Sequence, residues 1–206
     1  GRVWAVDEVD HQRREVYCML VKGNIPAYFG DVAGDIHTRI LERMHTVLAE
    51  RKSYPYLMRH AVCRLQEARN TFSKAGMDTH PLISLGGSMW ALFPQLGSYA
   101  FLALERFLKL RCGARLGLKG LSPSRPYYLQ FTMQVSAQEF YRIIAEEAAQ
   151  NFDPLELVYE NEVPVFDKYD EYVPSELVRK GFALGVLDIA GMKQRVLGWK
   201  GNAGEL

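Results

Sequence analysis

PYYLQFTMQVSAQEFYRIIAEEAAQN, residues 126–151, changes its period halfway along, and that change decides the fold class. Up to Val135 the aromatic and β-branched content is that of a strand. At Ser136 the spacing becomes helical. SAQE (136–139) is a capping box, with Ser136 at the cap and Glu139 three residues later, and the helix it opens ends near Asn151. A strand followed by a helix implies a mixed fold, and the neighbouring segments extend it in both directions.

Toward the amino terminus, YAFLALERFLKLR (99–111) is apolar nearly all round, so a helix capped by Ser98 is expected at the centre of the core. PLISLGGSMWALFP (81–94) is β-like, with Gly86-Gly87 marking a bulge or turn. A Gly/Ser/Pro loop is expected between residue 112 and the strand at 126. A helix from about Tyr56 to Ala75 follows the interruption at Pro55, carries Arg59, Arg64 and Arg69, and stops at Gly76. Before it, IHTRILERMHTVLAE (36–50) reads as a helix capped by Asp35. Its apolar face holds Ile36, Ile40, Met44, Val47 and Leu48, and Arg39 and Arg43 lie one turn apart on another face. The chain starts with a hairpin, VWAVDEVD (3–10) and REVYCMLV (14–21) around HQR, and a loop, GNIPAYFGDVAGD (23–35). After Asn151 the sequence is irregular and acidic to Pro174. Helices over SELVRKGFALG (175–185) and IAGMKQRVLGW (189–199) then close the reading.

The order β-β-α-α-β-α-β-α-α predicts an α+β fold: a small antiparallel β unit, then a helical and mixed core. The organisation expected is a hairpin and loop over 1–35 belonging to the main domain, a basic core over 36–135, and an acidic helical segment over 136–206 packed on that core. The net charge of +1 hides this asymmetry, since residues 1–135 hold 18 Lys/Arg against 11 Asp/Glu and residues 136–206 hold 7 against 13. A basic front places any polyanion-facing surface on the first part of the chain. No stretch approaches the roughly 20 apolar residues of a membrane span, so no membrane partner is expected. Cys18, Cys63 and Cys112 lack C-x-x-C spacing and read as small buried thiols in a reducing compartment, the cytoplasm. Starting at Gly1 in what reads as a strand, with no signal peptide, the sequence is expected to be a piece of a longer polypeptide.

The chemistry of most enzyme classes lacks its motifs here. There is no phosphate loop, and Gly86-Gly87-Ser88 lacks the lysine one needs; nor is there a nucleophile elbow. His11, His37, His45, His60 and His80 form no metal pair with an intervening acid. Tail acids Asp153, Glu156, Glu160, Glu162, Asp167, Asp170 and Glu171, with Lys168, are the one candidate magnesium site of a nuclease, set against solvation or pairing with the basic front. No catalytic residue and no cofactor of the chain itself is assigned.

Single-stranded nucleic acid is held by cations along its backbone and by flat rings on which bases stack. Trp4, Tyr28 and Phe29 are the candidate platforms. Arg13, Arg14, Arg39 and Arg43 are the candidate phosphate contacts. The opposing reading has the same rings in a core or interface and the arginines simply solvated.

The opening GRVWAVDEVDHQRREVYCMLVKGNIPAYFGD resembles the start of the accessory region that follows the motor and winged-helix domains of Lhr-type (large helicase-related) DNA helicases. The pattern G-x-x-W-x-V/I-x-x-I/V-D falls on Gly1, Trp4, Val6, Val9 and Asp10, and the later turn falls on Pro26, Gly30 and Asp31. The turn reads Ala27-Tyr28-Phe29 where the family pattern has Phe-Trp, which implies Phe29 in the tryptophan's place. MWALFPQLGSYAFLALERFL and VYENEVPVFDKYDEYVPSELVRKGFA resemble a bacterial subgroup in which this region closes the polypeptide. The resemblance implies a non-catalytic carboxy-terminal domain of a superfamily-two ATP-dependent helicase acting in DNA repair. Such a domain clamps single-stranded DNA or RNA and docks on upstream motor and winged-helix domains, which hold the ATP and magnesium. On this reading the MWALFP segment is exposed, and it and the acidic tail pack within the parent protein. The alternatives are a purely structural or protein-interaction module and a metal-dependent nuclease.

Overall fold

Alternation on either side of a polar turn makes the first two segments a hairpin. β1 (Val3–Asp10) runs antiparallel to β2 (Glu15–Val21), with Val3 opposite Val21 and Asp10 opposite Glu15. The Asp10 carboxylate accepts from the amides of Gln12 and Arg13, each at 2.9 Å, which closes the turn. The register shifts between Val6 and Glu8. Asp7 is the extra residue of this bulge, and it keeps Val9 on the same face as Val6. Trp4, Val6, Val9, Val16, Cys18 and Leu20 therefore share one apolar face, exposed among the described residues. The computed structural model describes residues 3–10, 12–21 and 35–199. It divides the chain into two compact units, Gly1–Gly34 and Asp35–Leu206, in a mixed α+β fold.

The second unit is built on an antiparallel sheet in the order β3-β4-β6-β5, from β3 (Leu82–Gly86), β4 (Met89–Leu92), β5 (Lys119–Ser124) and β6 (Tyr128–Thr132). Gly86 and Gly87, at φ 102° and 58°, make the turn that their pairing announced. β4 lies between two partners, with Ala91 and Leu92 buried, so MWALFP is a core strand rather than the exposed segment expected. β5 occupies the expected Gly/Ser/Pro loop. It is an edge strand with one neighbour, where Pro123 and an irregular register at Gly120 are tolerated.

Helices α3 (Ser98–Phe107) and α5 (Ala137–Ala149) cover this sheet. α3 is buried nearly all round, as its composition requires, and continues through a π-helical turn (Leu108–Cys112) into α4 (Gly113–Leu116). Ser136 caps α5, its hydroxyl accepting from the Glu139 amide at 3.2 Å. The reciprocal half of the box is not used, because Glu139 pairs with Arg142 one turn on. After α6 (Ser175–Gly181), Phe182, Ala183 and Leu187 join α7 (Ile189–Gly198) in completing the core, so parts of both 36–135 and 136–206, from Leu82 to Trp199, share one interior.

Helices α1 (Thr38–Ala49) and α2 (Arg59–Lys74) form an arm beside this core. Its attachment is a close backbone crossing. The Ile36 amide donates to Ser98 Oγ at 3.0 Å, the Ser98 amide donates to the Ile36 carbonyl at 2.9 Å, and the Gly97 amide donates to Thr38 Oγ1 at 2.9 Å. Ser98 is thus committed to Ile36 and Gly97 is the residue preceding α3. His37 Nδ1 accepts from the Arg39 amide, so His37, not Asp35, caps α1. Leu41 is the buried residue of α1. Ile40 and Met44, on the apolar face of α1, are exposed.

Candidate nucleic-acid interface

Opposite charges in the two halves of the sequence meet inside the second unit. Arg106, its side chain 8% exposed, makes two 2.6 Å hydrogen bonds to the Glu162 carboxylate and a third to the Leu157 carbonyl. Its guanidinium also lies over the rings of Tyr159 and Phe182. Burial pushes the Glu162 carboxyl up, but the Arg106 hydrogen bonds and charge outweigh it and hold the group below the usual carboxylate range. Arg111 pairs with Glu147 and Glu156, and Arg115 with Glu146 and Glu147. Asp170 accepts from the amides of Phe166 and Asp167, and Asp153 and Glu156 form a capping box at residues 153–156. Of the tail acids that make up the candidate magnesium site, Asp153, Glu156, Glu162 and Asp170 are these structural groups. Among the described residues no cluster of three His, Cys, Asp or Glu is placed for a metal.

This pairing leaves the excess positive charge on the arm. Residues 36–80 hold eight Lys/Arg against four Asp/Glu, whereas residues 81–199 hold 12 against 13. Arg39 is exposed on the first turn of α1 and makes no ion pair with any described acid. Arg43 is not free: its Nη2 donates to Glu50 Oε1 and to the Tyr54 hydroxyl, both at 3.1 Å. Tyr54 in turn donates to Glu50, and that hydrogen bond, with Arg43 adding its charge, lowers the Glu50 carboxyl. Both arginines line a shallow apolar groove with Ile40, Met44, Val47 and Leu48, instead of lying on a face apart from them.

On the hairpin, Trp4 is 55% exposed, and Arg13 and Arg14 are exposed at the turn. The ring sits at the open end of the ladder, opposite Leu20, and the two arginines at the closed end, about 20 Å away at the usual rise of a strand. Arg13 lies 3.8 Å from the Asp10 carboxylate, and Arg14 takes the left-handed conformation at φ 58°. Tyr28 and Phe29 lie outside the described residues. Cys18 and Cys63 are exposed, correcting the expectation of buried thiols; Cys112 is buried, and burial raises its thiol well above the ordinary range.

Sequence reasoning passed over the turn between α1 and α2. RKSYPYLMRH (51–60) shows a breaker at Pro55, and it also interleaves cations with rings. No helix among the described residues is long and apolar enough to cross a membrane. Comparison with known proteins gives no match: no family model, no curated protein and no solved structure is similar to the chain.

Proposed function

We propose that the chain is a non-catalytic accessory module of an ATP-dependent DNA helicase, holding single-stranded nucleic acid and docking on the motor and winged-helix domains of the same polypeptide. The observation that carries this reading is the partition of charge. The acidic tail neutralises the cations of α3 and α4, and the arm keeps an excess of four positive charges on exposed helices. Such a surface attracts a polyanion and releases its counterions. The exposed Trp4 and the turn arginines add a ring and two cations on the hairpin. The Lhr-type motifs in the opening and the tail supply the helicase context, with ATP and magnesium held upstream and the cytoplasm as compartment.

A second reading, a structural or protein-interaction module, draws on the apolar hairpin face. Six apolar side chains on a two-stranded ribbon need a cover, because such a ribbon is marginal alone. Both readings are tested by Trp4→Ala in the full helicase and in this chain. On the first, affinity for a labelled single strand falls by about 1–3 kcal/mol with base preference unchanged. Unaltered affinity, together with loss of co-purification or cooperative unfolding with the motor domains, would assign Trp4 to docking alone.

A further inference from the structure

We infer that the turn joining α1 and α2 is a single-strand-binding site in its own right, with Tyr56 as the stacking ring and Arg51, Lys52 and Arg59 as phosphate contacts. The inference rests on the nucleic-acid reading above and assigns a contact surface to it.

The sequence of this turn is one-sided in charge. From residue 51 to residue 66 there are four Arg/Lys and no Asp or Glu. Arg51, Lys52 and Arg59 are exposed, and none is ion-paired with a described acid. The nearest acid along the chain, Glu50, is hydrogen-bonded by Arg43 and Tyr54, and Lys52 acts on it by charge alone. No acid stands in the first turn of α2. Tyr56 is 77% exposed and Met58 72%, so a flat ring on this turn stands open to solvent.

The scaffold beneath is fixed, which separates this turn from a floppy charged loop. Tyr54 is buried, its ring lies 5.6 Å from that of Tyr56, and its hydroxyl is held by Glu50 and Arg43. Arg69 on α2 reaches across to donate to the carbonyls of Val47 and Lys52, both at 3.0 Å, with its guanidinium 5.9 Å from the Tyr54 ring. The Leu57 amide donates to the Tyr54 carbonyl at 3.1 Å. One ring is buried and clamps the turn, and the next is exposed on a segment that also carries three exposed cations. An exposed ring beside unpaired cations on a rigid base matches a base stacked over a phosphate track.

The test is fluorescence anisotropy of a labelled oligothymidylate with the intact chain, with Tyr56→Ala, with Arg51→Ala/Lys52→Ala/Arg59→Ala, and with Trp4→Ala. The site predicts a loss of about 5- to 150-fold for Tyr56→Ala, with an unchanged salt slope. It predicts a log–log salt slope shallower by about 2 for the triple variant. Irradiation with bromouracil in the strand is expected to crosslink Tyr56, a readout that does not depend on stability. Full affinity in both variants of the turn while Trp4→Ala weakens binding would overturn the proposed site and leave the function reading standing. Absence of binding by the intact chain would overturn both. Equal competition by polyglutamate or by phosphatidylglycerol vesicles, with Tyr56→Ala neutral, would make the turn a general anion surface and also overturn the proposal.

Discussion

Arg14 occupies a position where glycine fits at lower cost. Its φ of 58° lies in the left-handed region, about 1–2 kcal/mol unfavourable for a residue with a Cβ. Arg14→Gly is therefore predicted to raise hydrogen-exchange protection of the β1 and β2 amides about tenfold, the equivalent of about 1.4 kcal/mol. On the binding account it also lowers affinity for a single strand. A variant more protected and binding as well as before would remove Arg14 from the contact set. At this scale, what the sequence disclosed was local chemistry. Ser136 is legible as a cap because its partner amide is three residues away. Ser98 has the same side chain but is taken by Ile36, 62 residues distant, and no local pattern announces that. Tyr54 and Tyr56 are alike in sequence; which one turns inward is set by Arg43, Glu50 and Arg69.

Among elements, the crossing of the Ile36–Thr38 segment over Gly97 fixes the arm. A Cβ on Gly97 would lie 2.4 Å from the Ile36 carbonyl oxygen and 2.6 Å from the Thr38 amide nitrogen, and backbone on both sides leaves little room to give. Gly97→Ala is predicted to cost about 1–3 kcal/mol, read from the urea midpoint. An unchanged midpoint would mean that the arm is not held there. The clamp between α3 and the tail gives a second prediction. Glu162→Ala strands the Arg106 guanidinium in the interior and is expected to cost on the order of 3 kcal/mol, whereas Arg106→Met/Glu162→Met recovers much of that loss. Elements with a strong internal pattern were legible: the hairpin, α3, β6 and α5. β5 was not, since Gly120 and Pro123 are breakers in isolation and are tolerated only because the strand lies at a sheet edge. The stripe Ile40, Met44, Val47 and Leu48 is truly one face of α1, but periodicity alone does not show whether a partner covers it.

For the whole molecule, the division into a basic front and an acidic tail is real in sequence but is partly cancelled in space. The tail acids meet Arg106, Arg111 and Arg115, and only the arm keeps its excess. One consequence is sensitivity to acid. The Glu162 carboxyl is lowered in the folded state, so its contribution is complete above the unfolded value of about 4.3 and is lost as pH falls through the folded one. The urea midpoint is predicted to hold from neutral pH to about 5 and to drop below about 4. Glu162→Gln should lessen that drop, and an equal drop in this variant would assign the acid response to other groups. The other consequence is the binding function. The most direct measurement is the affinity of the intact chain for a labelled oligothymidylate between about 50 and 200 mM salt. The account predicts binding whose log–log salt slope is about −2 or steeper, as three or more neutralised phosphates on a single strand require. No binding at the lowest salt, or an affinity indifferent to salt, would contradict it.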